Sequence, residues 1–346
     1  MLRYIMSYAY HNHYFDGHDE RKIHHGDVPR LGGLMFVPAM VLSLILVTVI
    51  DDFFGTGAIL QELNDNPIKI MGLLLSVLVL MSFGIMDDLR DLKYRIKFGS
   101  QIISALILCF CGVWIDNLHG AFGLYELSPW LGFPITIFVL IFVINAINFI
   151  DGIDGLSASL SIIALGFYAY VFGVKRYSIM MVLISISLMV CLSSYLYFNL
   201  RGKPERKNKI FMGDTGSTFL GLILAVMGME ATRAADQGAL LMDCNALIVG
   251  FAPLTLPCYD VLRVVLHRLK NRKSPFAADN NHLHHKLLAC GMSQNVTLCT
   301  IIVISITLIS IMVLLGIKLN INLVLVISLA LWIIFNIILT KQMKNK

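Results

Sequence analysis

The chain has 346 residues, of which 57% are hydrophobic and 14% charged, with a formal net charge of +5. Soluble domains carry about 25% charged residues, so this composition excludes an ordinary soluble globular protein and points to lipid as the solvent. The positive balance gives no sign of nucleic acid, because no basic stripe interleaved with aromatics accompanies it, and seven cysteines without a C-x-x-C pair give neither a disulfide framework nor a zinc ribbon.

The stretch before Arg21 holds too many His, Asp and Tyr residues for the apolar core of a signal peptide. Apolar runs follow at about 34–50, 68–86, 96–115, 130–149, 156–173, 177–198, 217–230, 245–263, 295–316 and 321–340. A helix that crosses a bilayer takes roughly 20 mostly apolar residues. These runs therefore predict an all-α polytopic membrane protein, one domain over residues 1–346. The 217–230 run is short and is assigned on context as well as length. The runs are continuous and not alternating, which favours helices over barrel strands. Across ten spans, 22 of the 27 Lys and Arg residues fall on one side. The positive-inside bias makes that side, and both termini, cytoplasmic.

Five loops on that side carry unusual residues. The first holds Arg21, Lys22, His24 and His25, then Pro29-Arg30-Leu31-Gly32-Gly33 at a span entrance. Alone it reads as flanking charge plus a turn. The second places Asp87 and Asp88 at a span end, followed by Arg90, Lys93 and Lys97. Paired carboxylates suit a hard cation or a metal–phosphate assembly. They equally suit a solvated helix end, since neighbours on a helix diverge by about 100°.

The third loop is the most informative: Asn145-x-x-Asn148-x-x-Asp151-Gly152-x-Asp154-Gly155. Asn145 and Asn148 share a helix face, and the two Asp-Gly pairs repeat the spacing. An Asp at the centre of a membrane helix costs roughly 2.5–3.5 kcal/mol, so four amide or carboxylate side chains near the boundary imply use. The glycines allow a ligand to approach the backbone closely. The fourth loop begins at Asn199 and ends in Phe211-Met212-Gly213-Asp214-Thr215-Gly216-Ser217. Asp214 is a candidate metal ligand, with hydroxyls and N–H groups at a helix start available to phosphate. Ser217 also fits a plain N-cap. The fifth holds Ser274 through Asp279 and then His282-Leu283-His284-His285. Its basic surroundings favour phosphate contact over zinc, which is usually held by a closed set with Cys or a spaced carboxylate.

Together these motifs resemble the polyprenyl-phosphate N-acetylhexosamine-1-phosphate transferase family, which initiates O-antigen and related glycans and includes the peptidoglycan translocase. The likeness covers about residues 21–290 with the motifs in the family's order. The His282-Leu283-His284-His285 form looks more like the sugar-1-phosphate branch. The resemblance implies Asp87, Asp88, Asp151 and Asp154 as catalytic residues and Asp214 as ligand of Mg²⁺, which Mn²⁺ can replace. It implies Asn145, Asn148, Asn199, Lys97, His282, His284 and His285 as substrate-binding residues. The implied partners are a UDP-N-acetylhexosamine, with GlcNAc favoured, undecaprenyl phosphate and the lipid bilayer, with a homodimer left open. The implied place is the bacterial cytoplasmic (inner) membrane, with the active site on its cytoplasmic face.

Two departures stand out. Relatives of that kind carry an apolar span before the R-K-x-H element, so an eleventh span is either missing here or lost by truncation. Asn280 follows Asp279 where a basic residue is common. The rival reading is a multi-pass transporter with a carboxylate path, but no repeat of the Asp/Asn pattern supports it.

Overall fold

A computed structural model of the chain describes residues 1–12, 14–15, 28–174, 177–237, 244–274 and 281–344. Residues 21–27 of the first motif, 275–280 of the fifth, and Lys175, Arg176 and Lys346 lie outside the described residues.

The described chain is helical, in the order α1 Leu2–His11, α2 Phe36–Phe54, α3 Ala58–Asp65, α4 Pro67–Arg90, α5 Tyr94–Phe110, α6 Pro129–Ile150 and α7 Leu156–Val174. There follow α8 Ile179–Arg201, α9 Gly213–Asp236, α10 Ala246–Phe251, α11 Thr255–Lys270, α12 Leu283–Ala289, α13 Gln294–Gly316 and α14 Ile321–Lys344. Two isolated bridges, Phe15 with Pro29 and Asn117 with Glu126, are the only β pairing among the described residues.

Nine of these segments are long and apolar enough to cross a membrane. The tenth is α5. Its 17 residues span about 25 Å at 1.5 Å per residue. It runs antiparallel to α4 along its length: Gly72 near the start of α4 lies against Cys111, just past the end of α5. Midway, the hydroxyls of Ser76 and Ser104 each donate to the other's carbonyl, at 2.9 and 3.2 Å. Each of the ten expected runs thus holds a helix, the 96–115 run only as far as Phe110, and the chain is a multi-pass membrane protein.

Two spans extend furthest beyond their expected bounds. Helix α9 has 24 residues, well beyond the 217–230 run, because it is the central helix and packs against α4, α6 and α7. Of its most apolar window 83% is buried, against 22% for the α2 span. A helix that faces protein and not lipid needs small residues more than apolar ones. Gly221 accordingly lies against the Ile144 backbone, and Gly216 against Gly33. The second is the α10–α11 span, which is interrupted by a 3-10 turn at Ala252–Leu254 that holds Pro253, and it continues to Lys270. Proline removes one backbone donor and breaks the helical ladder there.

The polar-rich start, where no apolar run is long enough for a span, forms the ten-residue α1. Leu2, Met6, Ala9 and Tyr10 are its buried stripe, while Tyr4 and Tyr8 are exposed. The Tyr10 hydroxyl donates to the Lys209 carbonyl at 3.1 Å.

Candidate functional site

The site is built around the start of α9. Its own N-cap residue, Met212, supplies no capping side chain. Asp88, from the last turn of α4, does so instead. Its Oδ1 accepts from the Asp214 N–H at 2.7 Å, and its Oδ2 accepts from the Thr215 N–H at 3.0 Å and the Thr215 hydroxyl at 2.5 Å. This satisfies donors that every helix start leaves open. Gly213 has φ +74°, and a Cβ there would overlap the Arg30 carbonyl and the Asp88 carboxylate. The Pro29–Gly33 segment, a turn by its sequence, is the strap under this helix start. Phe211 N–H donates to the Pro29 carbonyl at 2.8 Å, and the Gly32 and Gly33 N–H groups donate back to Phe211 and Met212 at 2.9 and 2.8 Å. Ser217 is not the cap, since the helix begins before it. Its hydroxyl donates to the Gly213 carbonyl at 3.0 Å.

Beside this helix start, two carboxylates share one ammonium. Lys97 Nζ, from α5, lies 2.5 Å from Asp87 Oδ2 and 2.7 Å from Asp214 Oδ2. Asp87 is 4% exposed, and its second oxygen accepts from the Leu92 N–H at 2.8 Å. Asn148, at the end of α6, donates to Asp214 Oδ1 and to the Ser217 hydroxyl, both at 2.8 Å. One turn back, Asn145 donates to Gln101 Oε1 at 2.7 Å. Asp87, Lys97, Gln101, Asn145, Asn148 and Asp214 line a cavity of about 220 Å³ whose other walls include Leu80, Phe83, Phe98 and Phe149. Its lining is mixed, since Tyr94, Ser100 and Thr218 join these apolar side chains and the charged groups. Among the described residues, no three His, Cys, Asp or Glu side chains converge as a closed metal site.

The loop after α6 forms the second part. Asp154 Oδ2 accepts from Lys209 Nζ at 2.6 Å. Burial, then the charges of Asp154 and Asp214, raise the Asp151 carboxyl to a pKa of about 7. The ring of His284, 1% exposed, lies against Gly152, where any Cβ would overlap it. Neither of its ring nitrogens has a hydrogen-bond partner among the described residues. Burial, then the neighbouring imidazoles of His285 and His282, lower its pKa to about 3, so it is neutral. His282 stacks nearly parallel to it, with centroids 5.9 Å apart, and the His285 ring lies 4.2 Å from His284.

The fold thus brings Asp87, Lys97, Asn148 and Asp214 into direct contact. It sets Asp151 and Asp154 on the turn after α6 and the three histidines at the start of α12. Asp88 is spent on the helix cap. Asn199 does not line the cavity: it is 1% exposed, and its amide donates to the Ile210 carbonyl at 3.0 Å. Sequence reasoning missed Asp260 and Arg263. Asp260 is fully buried in α11 and accepts from His282 Nδ1 at 2.8 Å. An ionisable pair three residues apart inside an apolar run was the available signal.

Residues 70–232 match the model of glycosyl transferase family 4. The chain is 31% identical over 290 residues to a decaprenyl-phosphate N-acetylglucosaminephosphotransferase of Mycobacterium leprae, covering 80% of this chain and 70% of that one. It is 27% identical over 291 residues to a probable undecaprenyl-phosphate N-acetylglucosaminyl 1-phosphate transferase of Bacillus subtilis, covering 84% and 74%. It is 27% identical over 297 residues to the undecaprenyl-phosphate alpha-N-acetylglucosaminyl 1-phosphate transferase of Escherichia coli K12, covering 83% and 73%.

Proposed function

Because the chain belongs to glycosyl transferase family 4, we propose that it transfers N-acetylglucosamine 1-phosphate from UDP-N-acetylglucosamine to undecaprenyl phosphate, releasing UMP. The observation that carries the reading is the Lys97 ammonium held between Asp87 and Asp214 in the wall of a cavity that Leu80, Phe83, Phe98 and Phe149 also line. Such a cavity suits a ligand with a long hydrocarbon tail and an anionic head.

In this reading an oxygen of the lipid phosphate attacks the sugar-linked phosphorus of the donor. The new P–O bond forms as the P–O bond to UMP breaks. A phosphate monoester has a second pKa near 6, so about nine-tenths of the lipid head is dianionic at pH 7 and no strong base is needed. What the protein must supply is placement and charge neutralisation. Lys97 offers a cation to the phosphate oxygens, and the Asn148 amide fixes the rotamer of Asp214. The buried histidine loop covers the Asp151–Asp154 turn, where the diphosphate is proposed to lie.

The donor set also fits Mg²⁺. Two carboxylates already flank a cation, and Mg²⁺ typically takes one or two carboxylates, with waters and substrate phosphates completing its shell. Asp214 and Asp87 would hold it, and when bound it would neutralise charge developing on the diphosphate. The motif loops all lie on the Lys/Arg-rich side, so the proposed location is the cytoplasmic face of a bacterial inner membrane.

The test is label transfer from UDP-GlcNAc to undecaprenyl phosphate in detergent with Mg²⁺, with Asp214→Asn in parallel. Lipid-linked label plus UMP, abolished by EDTA and by the variant, is expected. Folded protein that gives no product with any UDP-N-acetylhexosamine would overturn the reading.

A further inference from the structure

A carboxylate with no exposed surface, inside an apolar span, has to be compensated, and Asp260 is compensated by one loop. Its Oδ2 accepts from His282 Nδ1 at 2.8 Å. Its Oδ1 accepts from the Leu283 N–H at 3.1 Å and from Arg263 Nη2 at 2.9 Å. Arg263 Nη2 also donates to the Asn281 carbonyl. One Asp-Arg pair on α11 therefore holds three consecutive residues, 281–283, at the start of α12. That helix has no side-chain cap of its own.

The consequence for His282 is chemical. A carboxylate oxygen accepts, so the proton of the ring sits on Nδ1. Nε2 is then the nitrogen left for a ligand, and it has no hydrogen-bond partner among the described residues. The ring is placed beside the cleft: it stacks on His284, which lies against Gly152, and its centroid is 6.3 Å from that of Phe149. Phe149 follows Asn148, the residue that holds Asp214.

We propose that Asp260, braced by Arg263, is a positioning residue for phosphate recognition: it fixes the orientation and tautomer of His282 and offsets the charge of that ring when Nε2–H donates to a phosphoryl oxygen. A neutral ring with its proton on Nδ1 would set one acceptor against another. Binding an anion therefore favours the imidazolium, and a buried carboxylate on the far nitrogen stabilises it. The other charged or titratable groups close to this pair are Arg263, His284, His285 and Lys286. The inference rests on the transferase reading above, with the diphosphate at the histidine loop.

The experiment is a double-mutant cycle on the full-length protein in detergent, reading kcat/KM for UDP-GlcNAc, UMP affinity and thermal unfolding. Asp260→Asn keeps an acceptor for Leu283 and Arg263 but removes the charge. His282→Asn keeps a donor toward Asp260 but removes Nε2. Each is expected to lower kcat/KM and UMP affinity by about 10-fold or more, in the range typical of such supporting partners. In the His282→Asn background, Asp260→Asn should cost less than about 2-fold further, since coupled residues do not add. Losses that multiply, or an Asp260→Asn variant that only melts earlier, would overturn the inference while leaving the transferase reading intact. A wild-type chain that neither transfers nor binds UMP would overturn both.

Discussion

The backbone N–H of Asp214 donates to Asp88 Oδ1 at 2.7 Å, so the helix bearing one carboxylate starts on another. The two adjacent aspartates at the end of α4 therefore do different work. Asp87 faces the Lys97 ammonium, and Asp88 closes the first turn of α9. Asp88→Ala should lower stability by about 1–3 kcal/mol, the cost of leaving buried donors unsatisfied, and reduce transfer with it. Asp214→Asn should abolish transfer at nearly unchanged stability. Thermal unfolding beside the transfer assay separates the two; equal melting losses would contradict this division.

Lys97 is the only cation that the structure places between Asp87 and Asp214 among the described residues. Lys97→Met should reduce kcat by about 100-fold, the scale of losing one preorganised charge donor in an active site. It should also lower the melting temperature in EDTA and recover it in Mg²⁺, because the carboxylates then repel each other unless a cation intervenes. A melting temperature indifferent to Mg²⁺ in this variant would count against a metal held by these carboxylates.

Gly152→Ala places a methyl where the His284 ring lies. The ring or the Asp-Gly turn must shift, and kcat/KM is expected to fall by about 10-fold or more. A displacement of about 1 Å can cost as much as 100-fold when positioning is the catalytic contribution. Combining it with His284→Ala should recover the melting temperature but not the activity. Full activity in Gly152→Ala alone would show that the contact is dispensable.

Two buried groups give opposite pH slopes to stability. The Asp151 carboxyl is raised to about 7, so its contribution is fully present below the ordinary carboxylate range and is lost as pH rises through 7. The His284 imidazole is lowered to about 3, so its contribution is present above about 6.5 and is lost as pH falls toward 3. In EDTA, Asp151→Asn should therefore melt higher than wild type at pH 8, with the margin shrinking toward pH 5. His284→Gln should melt lower than wild type at pH 8, with that deficit shrinking toward pH 5. Melting curves at pH 5, 6, 7 and 8 decide both.

Most of the architecture was legible along the chain because lipid imposes a local rule. Each crossing needs its own apolar length, and a run such as 295–316 meets that demand without reference to its neighbours. Helix α9 was underestimated because it escapes the rule. Its glycines, Glu230 and Arg233 sit among other helices, with Glu230 paired to Arg233 at 2.7 Å. The motif spacing likewise located the polar face, since amides and carboxylates at span ends are costly unless used.

By itself, then, the sequence determined a helical membrane protein, its spans, and which loops hold the chemistry, because hydropathy and three-residue spacing are properties of single segments. Only the tertiary structure decided how those groups are shared. Lys97 meets a carboxylate 117 positions away, Asp88 caps a helix 126 positions on, and Asn199 is spent on the chain's own backbone. Asp260 became visible when α12 laid His282 against it. A buried polar group takes whichever partner packing brings within about 3 Å, and that partner is set by helix packing, which local spacing does not encode.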